Sequence, residues 1–337
     1  MAVTLDISQL GDVPLRERPT GFAFWAANIW NFCRRKPLGA FGGAIVVAML
    51  LAAVFVDAGV VTLGASNEPL LAPDGYDHQS FGTENEGVSW SHPMGTDRAG
   101  RDIFSRVLYG ARISAVIGFS CVLISAFIAL LVGTISGFFA GWFDTIVQRL
   151  VDIVLAIPAI ILLLFTLTVF ASRPDGKLGF SFVSVDLGLD AYEVMFWIIV
   201  IVGFLLGVNS IRVIRGAAIS IANNQYVDAA RTIGASNARI IFRHIVPNVI
   251  PVLIVLSTVQ VGAAILIEAT ISFLGYGIPP PFPSWGVMLS RDASSVFRQY
   301  PLQAVWPGIA IALTVYGYNI FGDALRDVLD PRLRGGR

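Results

Sequence analysis

Charge is what this sequence has least of. Only 14% of its 337 residues are Asp, Glu, Lys or Arg, against about a quarter in ordinary soluble domains. Histidine occurs three times and cysteine twice. His78, His92 and His244 are scattered, Cys33 sits beside an Arg-Arg-Lys run, and Cys121 sits inside an apolar run. This spacing supports neither a metal site nor a disulfide. No glycine loop ending in Lys-Ser or Lys-Thr occurs, so the chain is not expected to bind ATP or to catalyse a reaction. A cleavable leader is not expected, because the first apolar run starts near Leu38, too late and too long for one. Formal net charge is zero. Bulk charge therefore points to no partner, and nucleic acid is not expected as one.

What the sequence has in excess is apolar length. Hydrophobic residues make up 55% of it and mean hydropathy is +0.72. A helix crossing the hydrocarbon needs about 20 apolar residues. Six runs qualify: 38–57, 113–140, 150–171, 194–211, 248–276 and 303–322. The expected fold is an all-α polytopic membrane protein with six transmembrane helices and lipid around it. Gly133, Gly137 and Gly141, four apart in the second run, form a small-residue face that lets helices approach closely. Pro158 predicts a bend in the third run.

The cations set the expected orientation. Arg16, Arg18, Arg34, Arg35 and Lys36 precede the first run. Arg212, Arg215, Arg231, Arg239 and Arg243 lie between the fourth and fifth, and Arg326, Arg332, Arg334 and Arg337 follow the sixth. Six spans put all three groups on one side, so both termini are expected in the cytoplasm. Loop 58–112 falls on the other side with Glu68, Asp74, Asp77, Glu84 and Glu86. It also holds Arg98, Arg101, Arg106 and Arg112, partly offset by Asp97 and Asp102. Residues 1–37 form a cytoplasmic tail in which Phe22, Trp25, Ile29 and Phe32 at helical spacing predict an amphipathic helix in the interface. Residues 38–57 are the first span, 58–112 an extracytoplasmic loop, 113–325 the core with five spans, and 326–337 a cytoplasmic tail.

The core is interrupted at 228–248 by DAARTIGASNARIIFRHIVPN. Asp228, Ala229 and Ala230 continue a helix in which Arg231 reaches Asp228. Gly234 supplies a left-handed stop, Ser236 a cap for a second helix, and Pro247 sits near the first turn of the fifth span. The two alanines make a slim face that a partner's groove could accept.

This stretch resembles the EAA loop of ABC-importer permeases, which runs Glu-Ala-Ala, three residues, Gly, then about nine residues to Ile-x-Leu-Pro. Here it reads Asp228-Ala229-Ala230, Gly234 and Ile245-Val246-Pro247, with Asp for Glu and Val before the proline. Four more stretches resemble the C-type subunit of the dipeptide/oligopeptide/nickel permease family in that family's order: HPMGTDRAGRDIFSRVLYGARIS at 92–114, RLVDIVLAIPAIIL at 149–162, IEATISFLGYGIPPPFPSWGVML at 267–289 and FGDALRDVLDPRLR at 321–334. The family's tryptophan shortly before its Ala-Arg-x-x-Arg-Gly run is absent here, and loop 58–91 is particular to this chain.

The resemblance implies a type I ABC-importer permease fold in a bacterial or archaeal cytoplasmic membrane, multi-pass. It implies a half-channel paired with a homologous B-type permease, two cytoplasmic ABC ATPases that carry ATP and Mg, and an extracytoplasmic substrate-binding protein. The chain itself is expected to bind no cofactor. Alternating access would be driven by ATPase closure. The coupling loop, about 212–247, would present Tyr226, Asp228, Ala229, Ala230, Arg231, Gly234, Ala235, Arg239 and Pro247 to the ATPase. Peptides, nickel chelates and oligosaccharides all remain open as substrates, because in this family the binding protein largely selects.

Three polar groups invite a second function. Glu268 is an intramembrane carboxylate, costly and by default functional. As an ion site it would make the chain an ion-coupled secondary transporter, which leaves the EAA-type loop unexplained; as a structural carboxylate it would be held by neighbouring helices or by the Ser284–Trp285 loop. Gly95, Thr96, Asp97, Gly100, Arg101, Asp102 and Trp285 either contact the binding protein or brace the spans. Arg149 and Asp152 pair as an anchor at the inner end of the third span. A scaffold for a membrane complex is a third class; it would keep its partners but show no substrate-dependent ATP hydrolysis.

Overall fold

The computed structural model describes residues 22–56, 70–171, 190–279, 281–293 and 299–329. Its helices are α1 (Phe22–Arg35), α2 (Pro37–Phe55), α3 (Ile103–Phe139), α4 (Gly141–Ala156), α5 (Ala159–Ala171), α6 (Asp190–Ala222), α7 (Gln225–Thr232), α8 (Asn237–Phe273) and α9 (Leu302–Leu329). A helical turn at Trp285–Val287 runs into a π turn at Met288–Ala293. Helices α2, α3, α6, α8 and α9 are each long and apolar enough to cross a membrane. The apolar pair α4–α5 is bent by 81° at its break, so the described residues hold five crossing helices, or six where the bent pair counts as one span. Ile157 is extended (φ −88°, ψ 127°), as the residue before a proline must often be, and Pro158 places the break there.

The six apolar runs are all found, but their ends move. The second span starts at Ile103, not at 113, so the loop expected at 58–112 is shorter. Asp102 caps α3 by accepting from Ser105 N at 2.7 Å. Arg112 lies inside the helix and buried, donating from Nε to Ala53 O at 2.7 Å and from Nη2 to Val54 O at 3.3 Å. A guanidinium thus satisfies carbonyls at the end of α2 that have no intrahelical partner. Arg106 is also buried, its Nη1 donating to Tyr76 O at 3.4 Å. These two cations belong to internal packing and drop out of the charge count across the membrane. Helix α6 continues eleven residues past the expected end at 211, because Arg212 and Arg215 find carboxylates across the interface. Helix α8 begins at Asn237, eleven residues before the expected 248.

Gly133 and Gly137 pack on α6: a Cβ at Gly133 would lie 2.9 Å from Ile211 O, and one at Gly137 would lie 2.7 Å from Arg215 O. Gly203 and Gly207 answer from α6, against Cys121 and Ile124 and against Ser125 and Ile128 of α3. Gly141 is a correction. It meets nothing, and with Ala140 (φ 51°) it takes a positive φ of 66° in the turn from α3 to α4. Gly137→Val is expected to overpack the α3–α6 contact and cost about 1–3 kcal/mol. A melting temperature of the solubilised protein several degrees below wild type checks this; an unchanged one would contradict the close approach.

At the N-terminal side, α1 and α2 are separate helices that break at Lys36 (φ −134°). The Phe32 ring meets Phe321 edge-on at 6.3 Å, and Lys36 pairs with Asp327 at 2.5 Å. Ile29 and Trp30 are exposed. The side chains of Phe22 and Trp25, and Arg16, Arg18, Glu68, Arg332, Arg334 and Arg337, lie outside the described residues.

Contacts define two ends of the bundle. One end gathers Ala53, the loop 70–102, the start of α3 and the start of α9: Gln303 Nε2 donates to Thr96 O and to Asn85 Oδ1, both at 3.0 Å. The other gathers Lys36 with Asp327, and the end of α3 with α4 and the end of α6.

Candidate functional site

Helix α7 and the start of α8 form one packed unit against the C-terminal ends of α3 and α6. Val227 and Ala230, three apart on α7, point into a cluster with Ala129 of α3, Ile214, Ala218 and Ala222 of α6, and Ile240, Ile245 and Val249 of α8. Gly234 has φ 78°. Ala235 N donates to Ala230 O and Gly234 N to Arg231 O, both at 3.0 Å. That is the glycine-terminated helix end in which crossed bonds satisfy the last carbonyls, and Ala235 packs against the cluster that holds Ala230. Ser236 then caps α8, accepting from Arg239 N at 3.4 Å. Pro247 lies ten residues into the helix. The π turn Ile241–Ile245 precedes it, and Val246 N reaches back to Ile241 O. Prolines and π turns commonly share a helix irregularity of this kind.

The slim two-alanine face needs correction. Ala230 is buried in the chain's own core, while Ala229 is exposed. Asp228 and Arg231 are exposed and pair at 3.4 Å, and the Arg231 guanidinium lies 5.6 Å from the Phe138 ring centroid. Tyr226 is exposed, 6.1 Å from the His244 ring. Arg239 is exposed. Ile233 and Phe242, which the sequence did not single out, are 85% and 72% exposed. Two large apolar side chains therefore stand outward on a unit whose Val227, Ala230, Ile240 and Ile245 point in.

Ion pairs brace the unit from above. Asp144, at the start of α4, accepts from Arg215 Nε and Nη2 at 2.5 Å each and from Ser136. Asp152 pairs closely with Arg212 and only at 3.8 Å with Arg149. In mid-bundle, Gln260 of α8 accepts from Ser125 of α3 at 2.9 Å and donates to Ser210 of α6. Asp144 and Gln260 were missed. Gln260 is a lone amide inside a long apolar run, the same signal that marked Glu268. Beside the break at Pro158 lies an apolar cavity of about 310 Å³ between α4–α5, α6 and α8, lined by Leu155, Ile157, Ile160, Leu206 and Ile271.

At the opposite end of the bundle, Thr96, Asp97 and Asp102 are buried. Asp97 Oδ1 accepts from Ala99 N at 2.8 Å and Arg101 N at 3.0 Å, and Oδ2 from Arg101 Nε at 2.7 Å. Thr96 Oγ1 accepts from Glu86 N at 2.8 Å, and Asp102 Oδ1 meets His92 Nδ1 at 3.1 Å. Gly95 (φ 79°) and Gly100 (φ 70°) make the turns. Arg101 is half-buried. Trp285 is buried, donating to Val107 O at 2.9 Å. The polar atoms of these residues thus face one another.

Glu268 is fully buried, with Oε1 accepting from Ser272 Oγ at 2.6 Å. Among the described residues no group of three or more His, Cys, Asp or Glu has metal-binding geometry.

Residues 129–335 match the model of a family described as binding-protein-dependent transport system inner membrane component. The chain is 34% identical over 312 residues to the oligopeptide transport system permease protein OppC of Bacillus subtilis, covering 93% of this chain and 91% of that one. It is 33% identical to the dipeptide transport system permease protein DppC of Alkalihalophilus pseudofirmus, covering 95% and 94%. It is 35% identical to the glutathione transport system permease protein GsiD of Pectobacterium atrosepticum, covering 79% and 81%.

Proposed function

From the premise that this chain belongs to the binding-protein-dependent transport system inner membrane component family, and is a multi-pass permease subunit of an ABC importer, we propose that it moves peptides. The relatives' transport of oligopeptides, dipeptides and glutathione supports this substrate class; nickel chelates and oligosaccharides have no such support. An ion-coupled transporter built on Glu268 is set aside, since it accounts for neither the family nor α7.

The chain contributes half of the passage, beside a homologous B-type permease. Two ATPases bring the ATP and Mg, and an extracytoplasmic binding protein delivers the peptide. This chain binds no nucleotide and catalyses nothing. The observation that carries the assignment of a coupling surface is the outward pair Ile233 and Phe242 on the braced unit of α7 and α8. Exposed apolar groups ringed by charge mark partner sites. Tyr226, Ala229 and Asp228 complete that surface, and Ala230, Ala235 and Gly234 shape it from within. Both termini lie in the cytoplasm, in keeping with Arg34, Arg35, Lys36, Arg239, Arg243 and Arg326.

Two measurements test this. The purified complex should hydrolyse ATP faster when the binding protein carries a peptide; a complex without ATPases removes the assignment. In a background lacking Cys33 and Cys121, Glu84→Cys should react in intact cells with an impermeant thiol reagent and Asn237→Cys should not. Equal reaction overturns the orientation.

A further inference from the structure

Residues 80–100 fold back on themselves as an irregular hairpin. Ser80 N donates to Gly100 O at 3.2 Å, and Asn85 N to Asp97 O, Thr96 N to Glu86 O and Ser89 N to His92 O at 3.0 Å each. The turn at the tip is therefore Ser89-Trp90-Ser91-His92. His92 N donates to Ser89 Oγ at 3.0 Å, and the His92 ring reaches Asp102, which caps α3. Gln303 of α9 bonds Asn85 and Thr96 in the stem. At Gly95 a Cβ would lie 2.6 Å from Glu86 O. The hairpin is thus closed by its own backbone and fastened to two helices.

What this frame holds outward is apolar. Trp90 is fully exposed at 104%, Phe81 is 92% exposed and Val88 57%. Single exposed apolar groups need no explanation, but several on one braced element mark a contact surface. An aromatic side chain placed in advance on a fixed turn loses little freedom when a partner covers it, and tryptophan is among the residues that dominate interface energies. The buried Thr96, Asp97 and Asp102 have spent their polar atoms within the loop. The exposed charges of residues 70–102 are Asp77, Glu84 and Glu86 against the single cation Arg98.

That composition selects among partners. Elements that lie in a lipid interface carry Lys and Arg beside their aromatic residues, whereas this loop carries carboxylates. A permanent contact with a second permease calls for a broad, continuous apolar face. Separate apolar anchors among charges suit a complex that forms and dissociates. The chain's family is one that depends on a binding protein. We infer that Trp90, with Phe81 and Val88 on the same hairpin, anchors the extracytoplasmic binding protein, which offers it an apolar pocket with a cationic rim facing Asp77, Glu84 and Glu86. This rests on the orientation and the importer reading proposed above. It places the contact at the hairpin's outward side chains and leaves the polar stretch Gly95–Asp102 as their support.

The test begins with the complete complex in intact cells. A photo-crosslinking benzoyl-phenylalanine replaces Trp90, and the adduct formed on irradiation is identified by mass spectrometry. The expected adduct is a peptide-binding protein. The same group at Trp142, exposed at the other end of the bundle, should give none. An adduct with the second permease, an adduct with lipid alone, no adduct, or an equal yield of binding protein from position 142 each overturns the inference. The binding protein so identified is then loaded with peptide and titrated onto purified complexes, with ATP hydrolysis as the readout. Trp90→Ala is expected to raise the half-saturating concentration at least tenfold, and Trp90→Phe less than threefold. Glu84→Lys combined with Glu86→Lys should raise it at least threefold at low salt, with the difference shrinking as salt is added. Normal half-saturation in Trp90→Ala, or failure of Trp90→Ala to assemble, overturns the inference, the latter because a fully exposed side chain supports no fold. If the unsubstituted complex lacks ATPases, or gains no hydrolysis from any peptide-loaded binding protein, the importer reading has failed and this inference falls with it. Stimulation of the unsubstituted complex with normal half-saturation in Trp90→Ala removes the docking surface alone.

Discussion

A permease carrying Ile233→Glu is expected to reach the membrane in normal amount and to arrive without its ATPases. Ile233 follows α7, is 85% exposed and is not part of the apolar cluster that holds Val227 and Ala230. Replacing it therefore leaves the fold alone. At an interface, a central apolar anchor is worth about 2 kcal/mol or more, and burying a carboxylate in its place adds a desolvation penalty. Recruitment should fall by roughly thirtyfold or beyond, at 1.4 kcal/mol per factor of ten. Ala229→Trp, on the exposed side of α7, should act in the same direction by steric block. Ala230→Trp should behave differently. Its side chain points at Ile214, Ala218 and Ile245, so overpacking there lowers the amount of folded permease itself. Gly234→Val should also uncouple, because φ 78° is poorly tolerated by a β-branched residue, and relaxing it re-aims Ile233. Arg239→Ala, on the solvated side of α8, should matter little. The readouts are permease level, ATPase co-purification and substrate-stimulated hydrolysis. Normal recruitment by both Ile233→Glu and Ala229→Trp would remove α7 from the docking surface.

That contrast between Ala229 and Ala230 marks the limit of what the sequence discloses here. The order of helix, glycine, cap and second helix was readable, because Gly234 and Ser236 act locally through backbone hydrogen bonds. Which alanine turns inward was not. Helix α7 has eight residues, two turns, too short for a periodic stripe to declare its face. Its inward pair, Val227 and Ala230, is chosen by the neighbouring α6 and α8. The outward Ile233 runs against the rule that apolar residues hide, as a docking group would.

The spans were readable for a different reason. Hydrocarbon thickness demands long apolar runs, and no local interaction competes with that demand. Their ends were not readable, because Arg106, Arg112, Arg212 and Arg215 look like loop residues when polarity is taken to mean water. Each instead has a protein partner: Tyr76 O, the last carbonyls of α2, Asp152 and Asp144. A long cationic side chain near a membrane boundary is compatible with a helix that simply continues. Thr96, Asp97 and Asp102 left two readings open in the sequence, a contact for the binding protein or a brace for the spans; their partners lie mostly within about a dozen residues, so the loop folds over its own polar atoms.

The pair Asp144–Arg215 should dominate the stability of the end of the bundle that carries α7. Asp144 is buried and receives both nitrogens of one edge of Arg215, a two-pronged contact that fixes angle as well as distance. It joins the start of α4 to α6, while Ser136 ties in α3. Seven residues further along, α6 ends at Ala222 and α7 follows at Gln225, so the proposed coupling unit inherits its position from this contact. Removing one member of a buried pair strands the other and typically costs about 3–5 kcal/mol. Arg215 is 32% exposed in its side chain, so water can solvate it in part. The loss for Asp144→Ala should therefore lie nearer to about 2–3 kcal/mol. Arg215→Ala leaves a buried carboxylate with only Ser136, and should be the worse of the two. The double variant should recover part of that loss, because it leaves no stranded charge and the two residues share a contact. Thermal melting of the solubilised permease gives the three values, and peptide uptake should fall in the same order. A double variant that melts as low as the sum of the two single losses would mean that the residues act independently, and the pair could not then be what fixes the coupling unit.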